Sequence, residues 1–221
     1  MAADVSLAVN QTRRLFPAFR KVRELLADGV IGTPRRLEYL MGEPFDWPAA
    51  TSSYFGNQGS CRGVLLDTGA HIVDLICWWL GGKPELVDYR DDSLGGTEAV
   101  AEASFRHGEC VGRLRLSWLS KLANRYRIEG DRGAIEGGAY EWSSLTLHTP
   151  DGKARRIRVG ARNLGLPDLA QRLIDNFIEV VQGVAEPLVP ARDVLDSIEW
   201  IDTCYRRRQR LDVHPQEMQK P

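Results

Sequence analysis

The sequence predicts an α+β fold: one large, mostly antiparallel open sheet with helices packed on one face. Three observations predict it. Residues 85–91, 99–106, 110–119, 124–129, 134–136, 145–149 and 155–159 read as strands in quick succession. Short turn signals join many of them, among them Arg106-His107-Gly108-Glu109, Gly130-Asp131-Arg132-Gly133 and Pro150-Asp151-Gly152. Helical patterns stand before and after this block, which is the order of an α+β chain. At 221 residues and 43% hydrophobic content the chain can bury a real core, and residues 1–221 read as one domain.

Residues 5–9 alternate weakly and read as a short strand. Pro17 then opens a helix to residue 28, with Phe19, Val22, Leu25 and Leu26 on one face and Gly29 closing it. Residues 35–42 form a strand. Residues 43–62 are rich in Pro, Ser and Gly yet carry Phe45, Trp47, Tyr54 and Phe55, and loops of this length with aromatics usually cover sites. The run between Gly63 and Gly81 is an apolar helix. After the strands come helices over 168–182 and 191–208, joined by Glu186-Pro187-Leu188-Val189-Pro190.

The helix between Gly63 and Gly81 is the first place to look for chemistry. At about 100° per residue, Asp67, His71, Asp74 and Trp78 fall within about 60° of one another. Nearly every other position is apolar, so the helix is buried on most sides, where carboxylates and an imidazole are costly unless paired or used. His71, with an ordinary pKa of about 6.5, suits proton exchange with a hydroxyl near neutral pH. Asp67 either supports it or favours the positive end of the helix dipole. Asp74 either orients His71 or anchors a neighbouring arginine.

Four further positions are candidate substrate contacts. Arg14, like Arg13, follows the first strand and either reaches the site or makes a surface ion pair. Trp47 and Tyr54, like Phe55, stack on the apolar face of a sugar ring or plug the fold. Arg62 precedes the helix start, where a cation and the helix dipole together suit an anion.

Other chemistry is excluded or unsupported. A net charge of -1 argues against nucleic acid. The basic run Arg206-Arg207-Arg208-Gln209-Arg210 reads as a helix end whose cations meet the negative dipole end. Asp67 and His71 lack a third and fourth zinc ligand, so no metal is expected. Cys61, Cys77, Cys110 and Cys204 are scattered, no secretory signal opens the chain, and no apolar stretch suits a membrane span, so the expected location is cytoplasmic. No two glycines are spaced G-x-G, which removes the Rossmann fingerprint, and Gly82-Lys83-Pro84 fails the Walker pattern.

Four segments in order resemble the C-terminal domain of the glucose–fructose oxidoreductase / inositol dehydrogenase (Gfo/Idh/MocA) family. They are Asn10-Gln11-Thr12-Arg13-Arg14-Leu15-Phe16-Pro17 with Gly29-Val30-Ile31-Gly32; Gly63-Val64-Leu65-Leu66-Asp67-Thr68-Gly69-Ala70-His71-Ile72-Val73-Asp74; Glu129-Gly130-Asp131-Arg132-Gly133-Ala134-Ile135-Glu136; and Phe177 with the Glu186-Pro187 turn and the final helix. The resemblance implies a sheet of which one face serves oligomerisation. It also implies that Asp67 and His71 correspond to the Asp and His that flank a sugar or cyclitol hydroxyl. In that family an N-terminal Rossmann domain binds NAD(P) and a Glu-Lys-Pro lysine joins the pair. Residues 1–10 resemble the last strand of such a domain, but this sequence holds neither the domain nor Glu-Lys-Pro.

The expectation is therefore a substrate-binding and oligomerisation domain that holds no cofactor itself. NAD(P) enters only if a partner chain supplies a Rossmann domain, the chain otherwise being a truncated remnant. The alternatives are a cofactor-independent acid–base enzyme (an epimerase, dehydratase or cyclase) using Asp67 and His71, and a non-catalytic assembly partner. The expected partners are a polyol or sugar-like small molecule and further copies of the chain. Self-association is expected because Leu116 and Trp118 would need burial on an uncovered apolar sheet face.

Overall fold

The structure, a computed structural model, describes residues 6–45, 63–93, 96–160 and 165–212. The first helix, α1 (Pro17–Ala27), starts on a proline whose fixed φ suits a helix entry and buries Ala18, Phe19, Val22 and Leu25. Strand β1 (Pro34–Gly42) follows, then helix α2 (Val64–Leu80). α2 stops at Gly81, whose φ of +79° is the left-handed cap that glycine adopts most cheaply.

The remaining strands are β2 (Glu85–Asp91), β3 (Val100–His107), β4 (Cys110–Ser117), β5 (Arg125–Gly130), β6 (Gly133–Gly138), β7 (Ser144–His148) and β8 (Ala154–Arg158). Helices α3 (Leu166–Val181) and α4 (Leu195–Arg206) and the short strand β9 (Gln209–Arg210) end the described chain. The sheet order is β8-β7-β6-β5-β1-β4-β3-β2-β9. All neighbours are antiparallel except β1 with β4 and β2 with β9. The α+β class, the open sheet and its mostly antiparallel pairing are as the sequence predicts.

The core lies between the sheet and the helices. Tyr39 of β1 stands opposite Leu114 of β4 and Tyr126 of β5, and all three are buried. Phe19 and Trp79 meet Tyr126 from the helix side, with ring centroids 5.7 and 5.0 Å away. Aromatic contacts of this kind add to the area term that holds α1 and α2 on the sheet.

Three expectations are corrected. Leu116 and Trp118 do not form an uncovered apolar face: they are 0% and 9% exposed, covered by the chain's own helices and loops. The period-2 alternation sends charge to the other side, where Arg125 pairs with Glu38 at 3.0 Å and Arg127 with Glu129 and Glu136 at 2.7 Å. The strand expected at 5–9 is, among the described residues, one bridge between Ala8 and Pro190. The helix expected at 191–208 begins as a 3-10 turn, Ala191–Val194, and ends at Arg206.

The basic run after it does more than meet a dipole. Arg208 turns inward to Asp91 at 2.6 Å and Glu98 at 3.5 Å, and both carboxylates are fully buried. Two buried anions require a counter-charge, and Arg208 is where the chain supplies it.

Candidate functional site

Apolar flanks press α2 into the core, and its polar stripe faces a 3-10 turn, Thr12–Leu15. The inner half of the stripe is an ion pair. Arg14 donates Nε–H and Nη2–H to the two Asp74 oxygens, both at 2.7 Å, and a further bond to the Asp193 carbonyl at 2.9 Å. Both residues are buried. Burial pushes the Asp74 carboxyl up and the Arg14 bonds pull it back. Trp78 lies under Arg23, 4.6 Å from its ring centroid. Asp74 thus takes the arginine-anchoring role, and Arg14 and Asp74 are occupied with each other.

The other half of the stripe is different in kind. His71 Nδ1 lies 2.7 Å from Gln11 Oε1. An amide oxygen can only accept, so Nδ1 carries the hydrogen and Nε2 keeps its lone pair. Burial lowers the His71 pKa from its ordinary 6.5, the Arg13 charge lowers it further, and the Asp67 carboxylate opposes both. Arg13 is held by the Ala139 carbonyl at 3.1 Å and touches Met41 Sδ at 3.8 Å. Asp67 is half-buried and accepts a bond from Thr68 Oγ1 at 3.4 Å, and Thr68 Oγ1 in turn accepts from Trp118 Nε1 at 3.4 Å. The result is an imidazole whose Nε2 has no hydrogen-bond partner among the described residues, with a carboxylate and a guanidinium within electrostatic reach.

The rim comes from the end of β1. Asn124, at φ +48°, accepts the Gly42 N–H at 2.8 Å and donates to the Gly42 carbonyl at 3.2 Å and to Glu43 at 2.6 Å. Asparagine tolerates that left-handed backbone better than most residues. Phe45 packs on Trp118 with ring centroids 5.4 Å apart. Tyr140, half exposed, has its hydroxyl pKa raised by burial, lowered by Arg13 and raised by Glu43, which puts all three within electrostatic reach.

Of the residues singled out in the sequence, the structure brings Asp67 and His71 together on one turn of α2. Trp47, Tyr54, Phe55, Arg62 and Cys61 lie outside the described residues. The helix start beside Arg62 is already satisfied, because Leu65 N–H donates to the buried Glu98 carboxylate at 3.1 Å and Val64 N–H to the Glu98 carbonyl at 2.9 Å. Gln11 was missed. It is a buried amide reaching 60 residues along the chain to His71, and no local periodicity marks such a contact.

Among the described residues, the starts of α2 and α3 do not fit a dinucleotide. A pyrophosphate needs open backbone N–H groups at a glycine-lined helix N-terminus. Here the start of α2 is closed by Glu98, and the start of α3 by Asp168, whose carboxylate accepts the Gly165 N–H at 2.7 Å. Among the described residues no three His, Cys, Asp or Glu side chains cluster as a metal site, and no helix is long and apolar enough to cross a membrane.

Comparison with known proteins gives a consistent family of likenesses. The family model described as the GFO/IDH/MocA C-terminal domain matches residues 19–136, just over half of the chain. The trans-1,2-dihydrobenzene-1,2-diol dehydrogenase of Xenopus laevis is 27% identical over 138 residues, covering 61% of this chain and 40% of that protein. A 3-ketoreductase from Actinomadura kijaniata, solved with NADP and TDP-benzene, superposes at TM-score 0.77 and 19% identity over 94% of this chain and 64% of its own. An aldose–aldose oxidoreductase from Caulobacter crescentus, complexed with glycerol, gives 0.75 and 19% over 91% and 61%. An oxidoreductase from Agrobacterium radiobacter, with NAD+, L-tartaric acid and magnesium, gives 0.75 and 18% over 93% and 63%. At these identities the solved structures share the fold. The chain spans about two fifths of the curated relative's length.

Proposed function

The chain belongs to the GFO/IDH/MocA family through its C-terminal domain, and from that premise we propose that it is the substrate-side half of an oxidoreductase acting on a hydroxyl of a polyol or sugar-like molecule. His71 Nε2 is the proton acceptor, and Asp67 stabilises the imidazolium that forms. The observation that carries this reading is the 2.7 Å contact between His71 Nδ1 and Gln11 Oε1, which leaves Nε2 as a base. The glycerol and L-tartaric acid held by two of the fold relatives, both polyhydroxylated, support the substrate class.

Oxidising a hydroxyl also needs an electron acceptor. The described helix starts of α2 and α3 do not fit a dinucleotide, so no dinucleotide step is assigned to them; a nucleotide-binding domain outside the described residues would supply that chemistry. The test has two parts. Titrated alone, the chain binds neither NAD(H) nor NADP(H), and micromolar affinity by calorimetry would overturn the division of labour. In the assembled enzyme, His71→Ala lowers turnover per folded molecule by about 10²–10⁴-fold, with the folded fraction read from the melting curve. A stable His71→Ala variant with full activity would end the case for this base. Epimerisation or dehydration of a polyol by the chain alone, without change of oxidation state, would favour the cofactor-independent enzyme instead.

A further inference from the structure

Trp78 is the last member of the polar stripe of α2, about two turns and about 10 Å along the helix from His71. It lines a cavity of about 460 Å³ bounded by the ends of α1 and α2 and by the β3–β4 turn. Leu26, Trp78 and Leu80 are half-buried: each packs against the core and each also lines the cavity. A largely apolar wall with a few polar groups is the usual make-up of a small-molecule site.

The polar group that matters most on this wall is Arg23. Its guanidinium lies 4.6 Å from the Trp78 ring centroid, a cation–π contact that spends none of its five N–H donors. Among the described residues Arg23 has no carboxylate at ion-pair distance and no hydrogen-bond acceptor. Glu109, the one carboxylate among the described residues of the wall, is already paired with Arg35. His107, from the turn, adds a ring that can donate as well as accept. The cavity thus combines apolar surface with a positive charge that no group of the chain answers.

We propose that this cavity is a second ligand site, separate from the His71 site, that takes a small carboxylic acid with an apolar body. The carboxylate sits on the N–H edge of Arg23 and the body lies against Leu26, Trp78 and Leu80. Guanidinium–carboxylate bonds are charge-assisted and form in pairs, and seating the body removes apolar surface from water. A polyol suits the site poorly, because most of the wall offers its hydroxyls no partner. A neutral apolar compound leaves the Arg23 donors unused. The assignment does not depend on His71 being a base.

The test is titration of the chain with benzoate, followed by calorimetry and by the indole N–H signals in NMR. For so small a ligand the expected Kd is about 1 mM. Trp78 and Trp118 report opposite ends of α2, since Trp118 Nε1 donates to Thr68 Oγ1 beside Asp67. The Trp78 signal is expected to move and the Trp118 signal to stay. Cyclohexanecarboxylate binds within about 3-fold of benzoate, whereas gluconate and benzyl alcohol bind about 10-fold more weakly or worse. Arg23 is exposed, so Arg23→Gln keeps the melting curve, and it weakens benzoate by about 10-fold or more. Arg23→Lys, which keeps the charge without the paired donors, falls between the two. No Trp78 shift at about ten times the expected Kd would overturn the proposal. So would a shift confined to Trp118, gluconate or benzyl alcohol binding as tightly as benzoate, or a folded Arg23→Gln variant with unchanged affinity.

Discussion

Removing the Asp74 carboxylate tests how the candidate site is held together. In Asp74→Ala the Arg14 guanidinium stays buried and loses two 2.7 Å charge-assisted bonds. It retains the Asp193 carbonyl at 2.9 Å and an exposed Asp193 carboxylate 3.9 Å away, which together replace little of the lost charge. Arg14 and Asp74 are 6% and 1% exposed, so the pair belongs with buried ion pairs, whose disruption costs about 3–5 kcal/mol. For a domain stable by about 5–15 kcal/mol that is a large fraction. The double replacement Arg14→Met with Asp74→Leu removes both charges and is expected to recover most of the loss. The consequence reaches His71, because Arg14 ties the Thr12–Leu15 turn to α2 and Gln11 enters that turn. Urea unfolding followed by circular dichroism gives the stability, and nitrogen NMR of His71 reports whether Nδ1 still carries the hydrogen. A loss below about 1 kcal/mol, the range of surface pairs, would refute the anchoring role. So would a double variant no more stable than Asp74→Ala.

Three further outcomes follow from the same geometry. Gln11→Leu releases His71 Nδ1 and shifts the imidazole toward the Nε2–H tautomer, whereas Gln11→Glu raises its pKa by placing an anion on the ring; unchanged NMR titration in both would remove Gln11 from the site. Burial and Arg13 hold His71 below 6.5, so as pH falls the unfolded chain takes up this proton first. Its contribution to stability is complete above about pH 6.5 and drains below it, so wild type and His71→Gln should diverge in urea midpoint as pH drops toward 5, and parallel curves would contradict this. For self-association through the sheet we propose the Arg and Glu rows of its open face as the contact, so that a dimer fraction measured by light scattering would fall as salt rises from about 0.05 to 0.5 M; a salt-indifferent dimer, or a monomer throughout, would refute that contact.

What the sequence made legible is what local rules govern. The β3–β4 turn at Gly108, with φ +56°, and the β5–β6 turn at Asp131-Arg132 follow from turn residues. α2 follows from its apolar run, and the spacing of its polar stripe alone puts Asp67 and His71 on one wall. The insertion of β1 between β4 and β5 has no such signal, because strand partners tens of residues apart are chosen by the packed sheet as a whole. The sheet face was misread for a related reason. Alternation separates Leu116 from Arg115, but the cover that buries one of them comes from α2, far away in sequence.

The least legible part of the chain is also the most connected. Between Ala8 and Arg14 the backbone bridges to Pro190, walls the α3 groove with Val9 and Asn10, hands Gln11 to His71, and locks Arg14 onto Asp74. None of these contacts is local, so composition and periodicity pass over all of them. Yet they put a groove wall, Asn10, and the partner of His71, Gln11, on adjacent residues of one segment. Gln11 therefore ties the tautomer of His71 to the seating of the Thr12–Leu15 turn, and the Arg14–Asp74 pair holds that turn on α2.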